Sequence, residues 1–330
     1  MASQNTATPV PKGTPLTIDV ASYLGTKPIR YVKPEWRIIV ADRASIPNPE
    51  NPLADWLPTV VVPALKLIVE DRGPVKSFAS IGTGAGVDIL AGIEILGATV
   101  VGATDVFPDV TTAAEWNIRQ NIGDARPVEV HVNHGDLLTP LRGRGLGFEV
   151  IYENLPNIPL ADASALEEKR NSAYFVPPRA EKVPQFANDQ LLALHYIALR
   201  QSLEFLSADG FVISTLGGRI PLEYLSRLAV ESGLVPSFLS YSWKIQAEGE
   251  AVLPSYAELE AQGLGPFYYY PADALEKTFH GVSTRDSGLR ALELEKELLP
   301  HRVTAKQAWN VYQQGQRIGH TVAVLKSARR

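Results

Sequence analysis

Between Ser77 and Leu96 an apolar run, Ser77–Ile81, enters the turn Gly82-Thr83-Gly84-Ala85-Gly86, and a helix-forming stretch follows at once. This junction leaves few folds open. Glycines at alternate positions let the backbone take positive φ and come close to a ligand, and the helix start offers free N–H donors. The alternation then repeats. Apolar runs recur at Ala98–Thr104, Val128–Val132, Phe148–Tyr152 and Gly210–Thr215, separated by helical stretches at Gly86–Leu96, Val110–Asn121, Gln190–Leu206 and Pro221–Ser232. Strand–helix repetition with short connections predicts an α/β fold, a parallel sheet covered on both faces. Two last runs, Ser237–Ile245 and Ile318–Leu325, suit an antiparallel terminal pair.

The flanks divide the chain further. Residues 1–14 are polar and Pro/Thr-rich and are expected to form a flexible tail. Residues 15–72 hold Trp36 and Trp56 between many prolines, too aromatic for a linker and too broken for long helices. They are expected to form an N-terminal cap ending in a helix over Pro58–Asp71. Residues 73–330 make the main domain, with an insertion at about 246–317 that carries Phe267-Tyr268-Tyr269-Tyr270 and a charged helical stretch, Ser287–Leu299. That insertion is expected to enclose substrate or to form a homodimer interface. Its aromatic run could line an acceptor pocket or simply cover the sheet.

Composition removes several classes of chemistry. There is no cysteine, so disulfides, thiolate metal sites and cysteine nucleophiles are excluded. His131 and His134 stand near one another at a strand end, but no metal-ligand pattern surrounds them, and no metal is assigned. With 31 basic against 36 acidic residues and no basic stripe, nucleic acid is not an expected partner. No run of about 18 apolar residues is present to cross a bilayer, and the N-terminus lacks a basic start with an apolar core. The expectation is a cytoplasmic protein without membrane contact.

Three further segments join the glycine-rich turn. Asp105 ends the run Val101–Thr104, where a carboxylate can accept both hydroxyls of a ribose or can cap the helix that begins near Asp109. Gly135-Asp136-Leu137 follows the third run; the carboxylate can accept an exocyclic amine while Leu137 packs on a ring. Phe148–Glu153 runs into Asn154-Leu155-Pro156-Asn157, where Asn154 offers an acceptor and a donor beside a stiff turn.

In this order and spacing, the four segments resemble the class I S-adenosylmethionine (SAM)-dependent methyltransferases. Within them the chain is most similar to the small-domain branch that contains the release-factor glutamine methyltransferases, over about Ala64–Ser232. The resemblance implies a Rossmann-like, seven-stranded sheet with SAM as cofactor. It implies that Gly82, Thr83, Gly84 and Gly86 line the methionine part, and that Asp105, with Val106 beside it, holds the ribose. It sets Asp136 and Leu137 against adenine and gives Asn154 the acceptor nitrogen or the SAM amino group. Two positions depart from that branch. Ser80 stands where an acidic residue contacts the SAM amino group, so that contact is weakened or supplied elsewhere. Asn157 stands where an aromatic residue packs on a planar acceptor, which argues against glutamine or adenine as the substrate.

Methyl transfer is an in-line displacement that needs a positioned lone pair more than acid–base chemistry. The expected reaction is transfer to a nitrogen of a small molecule. Asn154 would aim the nucleophile, and Tyr152, Glu153 or Tyr174 would serve as base, the last within a polar segment, Glu167–Pro184, that could cover the site. The chain also resembles azetidine-2-carboxylate synthases of natural-product pathways, which implies an alternative in which SAM cyclises and releases methylthioadenosine. A protein that binds SAM without turning it over is the third alternative.

Overall fold

The computed structural model describes residues 9–157 and 179–330. Five parallel strands form its centre: β3 (Ser77–Ile81), β4 (Val100–Asp105), β5 (Glu129–His134), β6 (Phe148–Glu153) and β7 (Leu206–Gly218). They lie in the order β5-β4-β3-β6-β7, and β11 (Ile318–Ala328) pairs antiparallel to β7. Strand β8 (Val235–Ile245) pairs antiparallel along the other side of β11. These seven strands are the Rossmann-like sheet with the antiparallel terminal pair that the sequence predicts. The strand order reverses between β3 and β6, which opens a crevice at their C-terminal ends.

The pleat explains why both faces are covered. Along β6, Phe148 and Ile151 enter one apolar cluster, while Val150 and Tyr152 enter the other. Strand β7 divides likewise, Val212 and Leu216 against Phe211 and Ile213. A strand with two apolar faces is stable only between two layers. Helices Ala193–Phe205 and Leu222–Glu231 cover the first face; Val62–Arg72, Val87–Ala91 and Pro108–Asn121 cover the second.

The cap begins as an antiparallel pair, β1 (Thr14–Asp19) with β2 (Glu35–Val40), and ends in the helix Val62–Arg72, close to the expected span. Ile18, Trp36 and Ile38 from this pair are fully buried in the cluster that holds Phe78, Val101 and Val110. The insertion adds to the sheet. Its strand β9 (Tyr268–Pro271) pairs with the start of β11, and β10 (Val303–Thr304) pairs with β9, extending the sheet to nine strands. The single helix expected over Ser287–Leu299 is broken at Arg290 into Thr284–Leu289 and Ala291–Leu298. Among the described residues no helix is long and apolar enough to cross a membrane.

Candidate functional site

Every residue of β3 is buried, so the strand delivers the glycine-rich turn from a fixed base. Gly82, Gly84 and Gly86 take φ values of 69°, 54° and 78°, in the left-handed region that side chains disfavour. The turn is tied to its neighbour strand, since Gly82 N and Thr83 N both donate to Thr104 O, at 2.8 and 3.0 Å. A Cβ on Gly84 would meet nothing within 4 Å, so this backbone faces open space. Beneath it lies Asp88, in the first turn of the helix that follows. Its carboxylate accepts the Ser80 hydroxyl, the Thr83 hydroxyl at 2.7 Å and Ile89 N at 2.8 Å. Burial pushes Asp88 up to about 6, against the three hydrogen bonds that favour its anion.

Asp105 ends β4 beside the turn. One oxygen accepts Gly84 N at 3.1 Å and the other accepts Phe107 N at 3.2 Å. The helix Pro108–Asn121 has Phe107 at its N-cap position with no side-chain cap bond, so Asp105 is not its cap. Burial raises the Asp105 carboxyl above its ordinary value. Strand β5 runs two residues beyond the expected end, to His134, whose Nε2 meets Val106 O at 3.1 Å, while His131 faces Glu129. The two imidazoles thus have separate partners, and among the described residues no cluster of three His, Asp or Glu side chains could hold a metal. Leu137 follows at φ 46°, strained for a side-chain-bearing residue, and is buried. Asp136 has a partner the sequence does not announce. Arg179 donates to both its oxygens, at 2.5 and 3.0 Å.

At the end of β6 the candidate bases part company. The Tyr152 hydroxyl is buried 3.4 Å from Thr215 Oγ1, and burial pushes the phenol well above its ordinary value. It stays neutral and can donate a hydrogen bond, but it does not serve as a base near neutral pH. Glu153 is fully buried and accepts from His195 Nδ1 at 2.9 and 3.0 Å and from Leu155 N at 3.2 Å. It faces His195, away from the cavity lining, which removes it as a base for bound substrate. Asn154 is exposed and reaches the cavity. Tyr174, the Ile158-Pro159 end of the motif and most of Glu167–Pro184 lie outside the described residues.

One cavity of about 240 Å³ gathers most of these groups: Gly82, Thr83, Gly84, Asp88, Asp105, Val106, Asp136, Leu137, Tyr152 and Asn154 all line it, whereas Gly86 lies behind the turn, against Ile118 and Ala114. Its opposite wall is the cap, through Tyr23, Arg43, Ile46, Asp55, Trp56 and Leu57. No residue of the insertion lines it. Phe267, Tyr269 and Tyr270 are buried instead, the first two packing edge-on against Tyr256 at 4.8 and 6.1 Å between ring centres. Of the two roles expected of the insertion, enclosure of this cavity falls, among the described residues, to the cap instead.

Two asparagines set the cap in place. Asn117 bonds both Ile39 N and Ile39 O, at 2.7 and 2.8 Å, and Asn121 does the same to Arg37, at 2.9 Å each. Four residues apart on one helix face, their amides pair with β2 as another strand would. Asn117 also donates to Ala85 O at 2.9 Å, joining cap, helix and glycine turn. Sequence reasoning misses Asp88, Arg179 and the cap wall. The Ser80 departure is a signal that a charge is absent from the strand end, but nothing in the pattern says where it has gone.

No protein-family model and no curated protein matches the chain. Among solved structures it is similar to a ribosomal protein L11 methylase from Lactobacillus delbrueckii subsp. bulgaricus, with 18% identity, 64% of this chain and 77% of that one covered, and a TM-score of 0.36. It is also similar to a 16S rRNA N2 G1207 methyltransferase from T. thermophilus, with 14% identity, coverages of 73% and 50%, and a TM-score of 0.40. The YcgJ protein from Bacillus subtilis shows 12% identity, coverages of 81% and 98%, and a TM-score of 0.41. Similarity of this degree does not carry an activity from one chain to another.

Proposed function

We propose that this chain is an enzyme that binds SAM between the glycine-rich turn and the cap and transfers its methyl group to a nitrogen of a small molecule. The observation that carries this reading is that one cavity is lined at once by the glycine turn, Asp105, Leu137 and Asn154. The residues fit such a cofactor. The open face of Gly84 admits a close-lying chain, Asp105 keeps lone pairs free for two ribose hydroxyls, and Leu137 offers an apolar surface to a base. Asp136 fits less well, since an adenine amine would have to share it with Arg179.

Bound SAM would supply an electrophilic methyl group, and the protein would supply position. Asn154 is the polar side chain at the mouth of β6 able to orient an amine, and Tyr152 can donate but not withdraw a proton. At about 240 Å³, the cavity falls below the roughly 300–1,000 Å³ of ordinary ligand sites. SAM is larger than that volume, so it would extend from the cavity into its open side.

A second reading uses the same lining and needs no acceptor. The α-amino nitrogen of SAM would displace methylthioadenosine from its own γ-carbon, forming the N–C bond as the C–S bond breaks, and the ammonium proton would pass to solvent. Incubation with SAM alone, followed by mass spectrometry, separates the readings. Methyl transfer gives S-adenosylhomocysteine only once an amine acceptor is added. Methylthioadenosine with azetidine-2-carboxylate, and no acceptor, would overturn it. Calorimetric binding of SAM with neither product would mean a binding protein, and no binding at all would remove the cofactor.

A further inference from the structure

We propose that Asp88 holds the α-ammonium group of the bound cofactor, taking the place of the acidic residue that position 80 lacks; this rests on the SAM reading above. Among the described residues four carboxylates line the cavity: Asp55, Asp88, Asp105 and Asp136. One is assigned to the ribose in the reading above, and two others are engaged within the protein. Asp136 is paired with Arg179, Asp55 accepts the Tyr23 hydroxyl and Asn48 N, each at 2.6 Å, and Asp105 is spread between two backbone N–H groups on the ribose side. Asp88 differs. It is 7% exposed, and its only partners among the described residues are two hydroxyls and one backbone N–H, none of them a cation.

A buried anion without a counter-charge is costly, and neutral donors offset only part of that cost. If the side chain served only to brace the turn, a hydroxyl or an amide would do so without that cost. A carboxylate is explained when a cation arrives from the cavity it lines. The Ser80 hydroxyl donates directly to Asp88, so the two side chains meet across the strand end. An acid at 80 with a hydroxyl at 88 would set the charge at nearly the same point. The charge has moved eight residues along the chain and almost nowhere in space. Thr83 then has a second use, orienting the carboxylate from the turn itself.

Titration calorimetry with two nucleosides tests this. S-Adenosylhomocysteine carries the amino group, and 5′-methylthioadenosine carries no amino-acid part. In Asp88→Asn the first should bind about 10- to 100-fold more weakly, the range for losing a charged hydrogen bond, while the second changes less than about 3-fold. The exchange Ser80→Asp with Asp88→Ser should recover most of the lost affinity. Equal affinity of Asp88→Asn and wild type for S-adenosylhomocysteine would overturn the proposal. So would parallel loss of both nucleosides without recovery in the exchange variant, which would make Asp88 a structural brace. If the wild-type protein bound neither nucleoside, the cofactor reading would fall first, and this proposal with it.

Discussion

Asp88 is a carboxylate that folding makes less acidic, and its titration should be visible. In the unfolded chain it ionises near 3.8, and in the fold near 6. Between those values the folded protein keeps a proton that the unfolded chain releases, so stability falls as pH rises from about 4 to about 6. Its full cost to the ligand-free protein, on the order of 3 kcal/mol, is present above that window and absent below it. Asp88→Asn should therefore gain stability relative to wild type between pH 4.5 and 7.5, read by urea unfolding. A difference that does not change with pH would contradict this. Asp105→Ala should weaken SAM binding about 10- to 100-fold, since two hydroxyls lose a charged acceptor, and calorimetry checks it. Asn154→Ala should lower turnover about 10-fold or more by losing orientation and leave SAM affinity within a factor of a few, measured by steady-state kinetics beside calorimetry. Most of these residues are legible in the sequence because each stands at the C-terminal end of an apolar run, where a parallel sheet opens its crevice. Asp88 and Arg179 are not. Their contacts, with Ser80 and Asp136, cross turns whose geometry no local pattern encodes.

At the scale of elements, the helix Pro108–Asn121 does two things at once. Its apolar side packs on the sheet, and its Asn117 and Asn121 amides close the open edge of β2. Asn117→Ala leaves Ile39 N, Ile39 O and Ala85 O without their side-chain partner, which should cost about 2–3 kcal/mol in urea unfolding. Glu115→Ala, on the exposed side of the same helix, should stay within about 0.5 kcal/mol. Limited proteolysis should cut the cap of the Asn117 variant sooner than that of wild type; equal cutting would mean the cap is held elsewhere. The helix itself follows from apolar spacing that can be read directly. Its asparagines read as ordinary surface polar residues until β2 is seen beside them, because a strand edge needs donors and acceptors that only docking brings within reach.

For the whole molecule, cap and sheet share one core. Trp36, fully buried in the cap, lies in the same cluster as Phe78 of β3 and Val324 of β11. Lys244 of β8 reaches the cap as well, donating to Ala54 O at 3.2 Å, Asp55 O at 3.1 Å and Thr59 Oγ1 at 2.9 Å. The protein should therefore unfold in a single calorimetric transition, and Trp36→Ala should lower stability by about 3–5 kcal/mol while weakening nucleoside binding. Two transitions, or a cap that melts alone, would show that the site stands without it. The sequence by itself determined the α/β class, the seven central strands and the strand-end positions of the site, because strand period, glycine turns and helix starts are written in neighbouring residues. Only the tertiary structure decided that the cap rather than the insertion walls the cavity, that Tyr152 is too deeply buried to act as a base, and that the Asp88 carboxylate meets Ser80 at the strand end. Each of those depends on which distant surfaces meet, and burial and charge pairing take their values from that meeting.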